Sequence, residues 1–228
     1  MKGSLVYEDY LDLVKSKKIT SSTFEVNQIQ PSSIDLSLSD ECYEIKYSFL
    51  SPNSTVRKKL ENLTLKRIDL NQEYLFEINK TYLVKLNEKL SLDNNTFGHC
   101  NPKSSTGRLD IFCRTIVDYA DEYEKIPSNY SGDVFLEITS RSFDIMFKKG
   151  DKLNQLRLNS NEHVYLSDDE IKDLDFKYKI IDESKEKEKN NIDNGLKVSI
   201  DLSNDKNIAA YSAKENCPVL FFDKINFH

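Results

Sequence analysis

Asp133-Val134-Phe135-Leu136-Glu137-Ile138-Thr139 alternates, with Val134, Leu136 and Ile138 on one face and Phe135, Glu137 and Thr139 on the other. A period of two is the signature of a β-strand with one face turned to a core. The same alternation recurs in Ile34-Asp35-Leu36-Ser37-Leu38 and Tyr82-Leu83-Val84-Lys85-Leu86, and from about Val26 to Leu158 such runs are cut by Pro, Asn, Ser and Gly. That grammar predicts antiparallel sheets. Alanine, the best helix former, occurs only at Ala120, Ala209, Ala210 and Ala213, while Ile, Val, Thr, Tyr and Phe are plentiful. The expected fold is mainly β with a few short helices. Lys148-Lys149-Gly150-Asp151, between Phe143–Phe147 and Leu153–Leu158, predicts a hairpin turn in which Gly150 supplies the positive φ.

Two helices are expected. Val6, Tyr10, Leu13 and Val14 are helically spaced between Ser4, a candidate cap, and Lys18, and Ser167-Asp168-Asp169-Glu170 has capping-box order ahead of Ile171 and Leu174. Asp182 to Asn191 is charged, mixed in sign and free of apolar residues, which predicts a solvated loop. Leu196–Leu202 and Val219–Phe222 are expected to be strands. With no internal repeat, residues 1–228 are expected to form one domain: 1–25 helix and lead-in, 26–160 β core, and 161–228 helix, charged loop and C-terminal strands.

The chain has 228 residues, and its 32 Lys+Arg against 38 Asp+Glu give a net charge of −6. That balance excludes a protein built to sheathe DNA or RNA, which needs a dense basic face, but leaves room for a small anionic ligand in a local basic pocket. No apolar run approaches membrane-spanning length and Met1 to Asp12 lacks the apolar stretch of a secretory signal, so a cytoplasmic protein is expected. The cysteines Cys42, Cys100, Cys113 and Cys217 show no CxxC spacing and are expected to be reduced and structural. The H-x-E and P-C-x-x-C signature of zinc deaminases is missing around His99, His163 and His228, so no protein-bound zinc is expected.

Asn101-Pro102-Lys103-Ser104-Ser105-Thr106-Gly107-Arg108 stands out as a polar turn with hydroxyls, a glycine and two cations, the groups that hold a phosphate chain. Taken alone it could equally be an ordinary capped loop. Glu137, a carboxylate beside Phe135 on a strand otherwise built for packing, is a candidate for proton transfer, although an isolated strand glutamate more often faces solvent.

Taken together, Ile29-Gln30-Pro31-Ser32-Ser33-Ile34-Asp35-Leu36, Pro102-Lys103-Ser104-Ser105-Thr106-Gly107-Arg108-Leu109, Tyr130-Ser131-Gly132-Asp133-Val134-Phe135-Leu136-Glu137 and Gly150-Asp151-Lys152-Leu153-Asn154-Gln155-Leu156 resemble, in order and spacing, the dCTP deaminase branch of the dUTPase-like superfamily. The wording is similar to the first half of the double-length bacterial dCTP deaminases. The resemblance implies a distorted jelly roll of the β-clip type, a homotrimer with sites between subunits, and hydrolytic deamination of dCTP to dUTP and ammonia, feeding dUMP and dTTP synthesis. It implies Mg²⁺ carried by the triphosphate, no zinc, and no nucleic-acid polymer or membrane as partner. Carried over by position, Glu137 matches the catalytic carboxylate, with Ser104 and Arg108 assisting at the reacting centre. Lys103, Ser105, Gly107, Gln155 and Lys214 match nucleotide-binding positions. Lys103 stands where the usual loop has Arg, which keeps the charge but loses bidentate bonding. Gln30 to Asp35 reads as structural, while Ala210–Lys214 reads as either a tail that closes over the nucleotide or a surface turn. Two alternatives stay open: a dUTPase-like pyrophosphatase using Asp118 of Ile116-Val117-Asp118, and a non-catalytic nucleotide-binding half of a longer protein.

Overall fold

The computed structural model describes residues 3–160, 165–181, 191–198 and 211–225. In chain order its elements are α1 (Tyr7–Lys15), β1 (Ile19–Thr20), β2 (Ile29–Gln30), β3 (Ser33–Leu36), β4 (Leu38–Ile45), α2 (Val56–Leu63), β5 (Thr64–Asp69), β6 (Tyr74–Phe76), β7 (Thr81–Ser91), β8 (Thr96–Pro102), α3 (Ser104–Arg108), β9 (Ile111–Val117), β10 (Lys125–Ile126), β11 (Ser131–Ser140), β12 (Ile145–Phe147), β13 (Asn154–Ser160), α4 (Asp168–Tyr178) and β14 (Leu220–Phe221). The fold is mainly β, with four short α-helices among the described residues. Contacts gather the chain into two compact units, Met1–His163 with Ala213–His228, and Val164–Ser212. The smaller unit lies within the 161–228 stretch that the sequence groups with the rest.

In the larger unit, one sheet has the order β5-β4-β7-β11-β9 with β1 added to β7, a second runs β10-β8-β13-β3-β2, and a third β14-β12-β6. The first two share the main core, to which Leu38, Val84, Leu86, Leu136 and Ile138 contribute from one and Ile34, Leu36, Cys100, Leu156 and Leu158 from the other. The chain passes between these sheets at Ser37. There the Ser37 N–H and hydroxyl both donate to the fully buried Glu88 carboxylate, at 2.9 and 2.8 Å, and the Gln28 side-chain amide donates to it at 2.8 Å. Burial pushes the Glu88 carboxyl above the usual range, and these donors work against that rise. Cys42, Cys100 and Cys113 are free and buried.

The turn at Lys148–Asp151 corrects the predicted hairpin. Gly150 does sit at φ +91°, but β12 pairs with β6 and β14, whereas β13 pairs with β3 and β8. The turn's N–H groups go to distant carbonyls, Gly150 to Leu38 and Lys149 to Leu70, both at 2.8 Å, so it carries the chain from one sheet to another. Ser4 is not the cap of α1: its hydroxyl donates to Asn159 Oδ1 at 2.8 Å, and the helix starts at Val6, whose N–H donates to Asp9 Oδ2 at 2.9 Å. The capping box of α4 forms as expected, with the Ser167 N–H donating to Glu170 Oε2 at 2.8 Å and the Glu170 N–H to Ser167 Oγ at 3.3 Å. Helix α2 falls inside the 26–160 stretch expected to be the β core, where the sequence reading places no helix. Its signal is Thr55, whose hydroxyl accepts from the Lys58 N–H, followed by Val56, Leu60 and Leu63 on one buried stripe.

Val219–Phe222 yields β14, parallel to β12. Of the strand expected at Leu196–Leu202, Leu196 forms an isolated bridge with Ile192, and 199–202 lie outside the described residues, as do 182–190 of the charged loop. No helix among the described residues is long and apolar enough to cross a membrane.

Candidate active site

Strand β11 lies between β7 and β9, and its alternation divides two cores. Val134, Leu136 and Ile138 enter the main core. Phe135 enters a second cluster, with Tyr43, Ile45, Leu83 and Ile116 from the sheet and Phe49, Val56, Leu60 and Leu63 from the 46–52 loop and α2. Glu137, on this second face, is therefore covered, and its side chain is 3% exposed. The ordinary reading of a solvent-facing strand glutamate does not hold here.

The antiparallel register sets Arg114 of β9 directly opposite Glu137. Arg114 donates from Nε at 3.0 Å and from NH2 at 2.5 Å, both to Glu137 Oε1, and the Ser48 hydroxyl donates to the same oxygen at 3.0 Å. Arg114 NH2 also donates to Ser48 Oγ at 2.9 Å, and its guanidinium lies 4.2 Å from the ring centroid of Tyr123. Glu137 Oε2 is buried and has no hydrogen-bond partner. A carboxylate with one anchored and one bare oxygen is the geometry of a group able to take a proton and give it back.

Ser104–Arg108 corrects the polar turn of the sequence reading, since these residues form the short helix α3. It is tied down by the Lys103 N–H and the Thr106 hydroxyl, which donate to the Leu153 carbonyl at 2.9 and 2.8 Å. Thr106 is buried, while Ser104, Gly107 and Arg108 are exposed and Ser105 is half-buried. A Cβ at Gly107 would meet nothing within 4 Å, so packing inside the chain does not require glycine there. The Lys103 ammonium is ion-paired with the buried Asp35 carboxylate, in keeping with a structural role for Asp35. Gln155 Oε1 accepts from the Ser33 hydroxyl at 3.2 Å, and Lys214 is exposed.

Among the described residues no hydrogen bond or ion pair joins Ser104, Arg108 or the other expected nucleotide-binding residues to Glu137. The β9 segment from Arg114 back to Ile111 spans about 10 Å at ~3.3 Å per residue, and α3 lies beyond it. Asp118 has a structural partner, its carboxylate accepting from the Val56 N–H at 2.7 Å at the start of α2. Arg114 and Ser48 were not singled out from sequence. Arg114 carries a usable signal, a charge inside the apolar run Ile111–Val117, whereas Ser48, on a loop, carries none.

The family model described as "2'-deoxycytidine 5'-triphosphate deaminase (DCD) N-terminal domain" matches residues 1–162. The chain belongs to the dCTP deaminase family. A solved structure of the family, 2'-deoxycytidine 5'-triphosphate deaminase from Agrobacterium tumefaciens, is similar to 77% of this chain at 37% identity with a TM-score of 0.74. The match covers 54% of that protein, so this chain spans about half its length. The native dUTPase of EIAV is 17% identical over 44% of this chain and 78% of its own, with a TM-score of 0.33. No curated protein sequence matches.

On the other side of β9 lies a second carboxyl of this family member. Glu124, at φ +67°, accepts at Oε1 from the Thr115 N–H at 3.2 Å, and its Oε2 is buried without a partner. Burial pushes its pKa up to about 7, against the lowering effect of the Thr115 and Asn154 bonds. A carboxyl that binds its proton more tightly when folded favours the native state most below its unfolded pKa. That contribution falls as pH rises from about 4.5 to about 7. Glu124→Gln is therefore expected to be more stable than wild type above pH 7, by about 1–3 kcal/mol, and equal to it near pH 4.5. Urea melts at both pH values check this, and an equal gain at both would reject it.

Proposed function

We propose that this chain hydrolyses dCTP to dUTP and ammonia in the cytoplasm, with Glu137 as general base and then general acid. The observation that carries the reading is the Glu137 carboxylate, sequestered beside Phe135 with Oε1 anchored and Oε2 bare, in a chain of the dCTP deaminase family.

Water attacks C4 of cytosine as Glu137 takes its proton. The resulting carboxylic acid passes this proton to N3, then takes the remaining proton of the C4 hydroxyl and delivers it to the exocyclic amine; the C4–N bond breaks, ammonia departs, and C4 keeps the oxygen as the uracil carbonyl. One carboxyl thus serves both halves of the reaction, and no zinc is needed to generate the nucleophile. Mg²⁺ enters as part of the substrate, bound to the triphosphate, and no protein ligand is assigned to it.

Ser104 and Arg108 reach the reacting centre from a neighbouring copy in a homotrimer. Support comes from their exposure on α3 and their separation from Glu137 within one chain. In this arrangement Lys103, Ser105, Gly107, Gln155 and Lys214 line the triphosphate path, with Lys103 sharing its charge between Asp35 and phosphate.

The test is the purified chain with dCTP and Mg²⁺, with ammonia, dUTP and pyrophosphate measured in one tube. Ammonia and dUTP in equal amounts are expected. Pyrophosphate without ammonia would favour cleavage between phosphates, and binding without turnover would favour a non-catalytic module.

A further inference from the structure

We infer that Glu137 handles the proton through Oε2 alone, and that Arg114, assisted by Ser48, is the positioning residue that reserves this oxygen. The inference rests on the proposed deamination, and it assigns a task to a residue outside the expected site.

Two Arg–Glu pairs whose glutamates lie on the same sheet provide the contrast. Arg57 binds Glu41 fork to fork, NH1 to Oε1 at 2.7 Å and NH2 to Oε2 at 3.1 Å, so both carboxylate oxygens are engaged. That is the geometry of an ion pair whose purpose is to hold an element in place, and Arg57 adds a bond to Asp133 at 3.1 Å that fastens α2 to β11. Arg114 instead directs Nε and NH2 to a single oxygen of Glu137, and the Ser48 hydroxyl goes to that same oxygen. Three donors saturate Oε1, and none reaches Oε2.

The other strand glutamate in the core shows that the fold can satisfy a buried carboxylate fully. Glu88 receives donors on both oxygens, from Gln28 and Ser37. Glu124 also leaves one oxygen bare, but its bonded oxygen takes a backbone N–H and no arginine. Glu137 alone among the described glutamates combines a cation, a saturated oxygen and a bare buried one. A buried polar atom without a partner is unfavourable, and sites that retain one are often where chemistry occurs.

Arg114 is held for this task. Its guanidinium rests on the Tyr123 ring, and the Tyr123 hydroxyl donates to the Phe49 carbonyl at 3.2 Å, tying the support to the loop that carries Ser48. The Arg114 side chain is 37% exposed against 3% for Glu137, so it stands between the carboxylate and solvent. Its geometry turns Oε2 toward the incoming water.

The experiment compares wild type, Glu137→Gln, Arg114→Ala and Ser48→Ala by steady-state ammonia release from dCTP, with thermal melting to verify the fold. Arg114→Ala is expected to lower kcat by up to about 100-fold, the scale of a misplaced reacting group, with KM nearly unchanged. Guanidinium ion added to Arg114→Ala should restore part of the lost kcat, because the vacated site opens to solvent, and should do nothing for Glu137→Gln. Ser48→Ala should show a smaller loss, also in kcat. If Arg114→Ala does not fold, Arg114→Lys decides: it keeps the charge but offers a single ammonium in place of the two donors, so kcat should fall and KM hold. Wild-type kcat in the folded arginine variant, a loss confined to KM, or no response to guanidinium would overturn the inference and leave the deamination reading standing. Inactive wild type, or full turnover by Glu137→Gln, would instead remove the reading itself and this inference with it.

Discussion

Glu137→Gln stops ammonia release from dCTP while dCTP still binds. The substitution keeps the shape of the side chain, and its amide oxygen can still accept from Arg114 and Ser48 in the place of Oε1. What disappears is the ability to accept a proton at the bare position. General-base catalysis contributes about 10²–10⁴-fold, so a loss of that order in kcat is expected. Binding should change little, because no phosphate-holding residue is touched and the fold around Phe135 and Leu83 is preserved. Ammonia release and calorimetric titration with dCTP, run on the same preparation, measure the two quantities. Full turnover in the variant would sink the assignment of Glu137 as the base. A variant that still produced pyrophosphate would point to Asp118, despite its engagement at the start of α2.

The face division of β11 was legible because it depends only on a local period of two, and that period places Glu137 opposite the main core whatever its neighbours are. What covers that face was not legible. The burial of Glu137 comes from α2 and the 46–52 loop, segments about 75 to 90 residues away in the chain. The helix itself was readable from Thr55 and the Val56, Leu60, Leu63 stripe, but it sits among strands and the surrounding alternation hides it. The Lys148–Asp151 turn shows the opposite case. Its local chemistry was correct to the residue, Gly150 included, yet which sheet each flank joins is set by the distant carbonyls of Leu38 and Leu70. The same limit applies to the site. Glu137 and the α3 residues could be named from their chemical types, whereas Arg114 acquires its role only through the antiparallel register with β11, and Ser48 only through the path of a loop.

Two inactive variants combined should give an active protein. If Glu137 of one copy works with Arg108 of its neighbour, a site needs an intact Glu137 from one chain and an intact Arg108 from the next, and the two defects need not fall in the same site. Glu137→Gln and Arg108→Met, each carrying a different affinity tag, are expected to be inactive alone. In a trimer formed by coexpression, a site is intact when one side carries only the arginine change and the other only the glutamate change, and every mixed trimer contains one such site, about one in three. Ammonia release from the doubly tagged fraction should thus reach about one third of the wild-type value, a gain of at least tenfold over either parent given the loss assigned to Glu137. The exposure of Arg108 and the stretch of β9 between it and Arg114 are the physical basis for expecting this outcome. A doubly tagged fraction no more active than its parents would mean that both groups act within one chain, which would require α3 to move some 10 Å along the sheet. A protein that runs as a monomer by light scattering and is nevertheless active would reject shared sites directly.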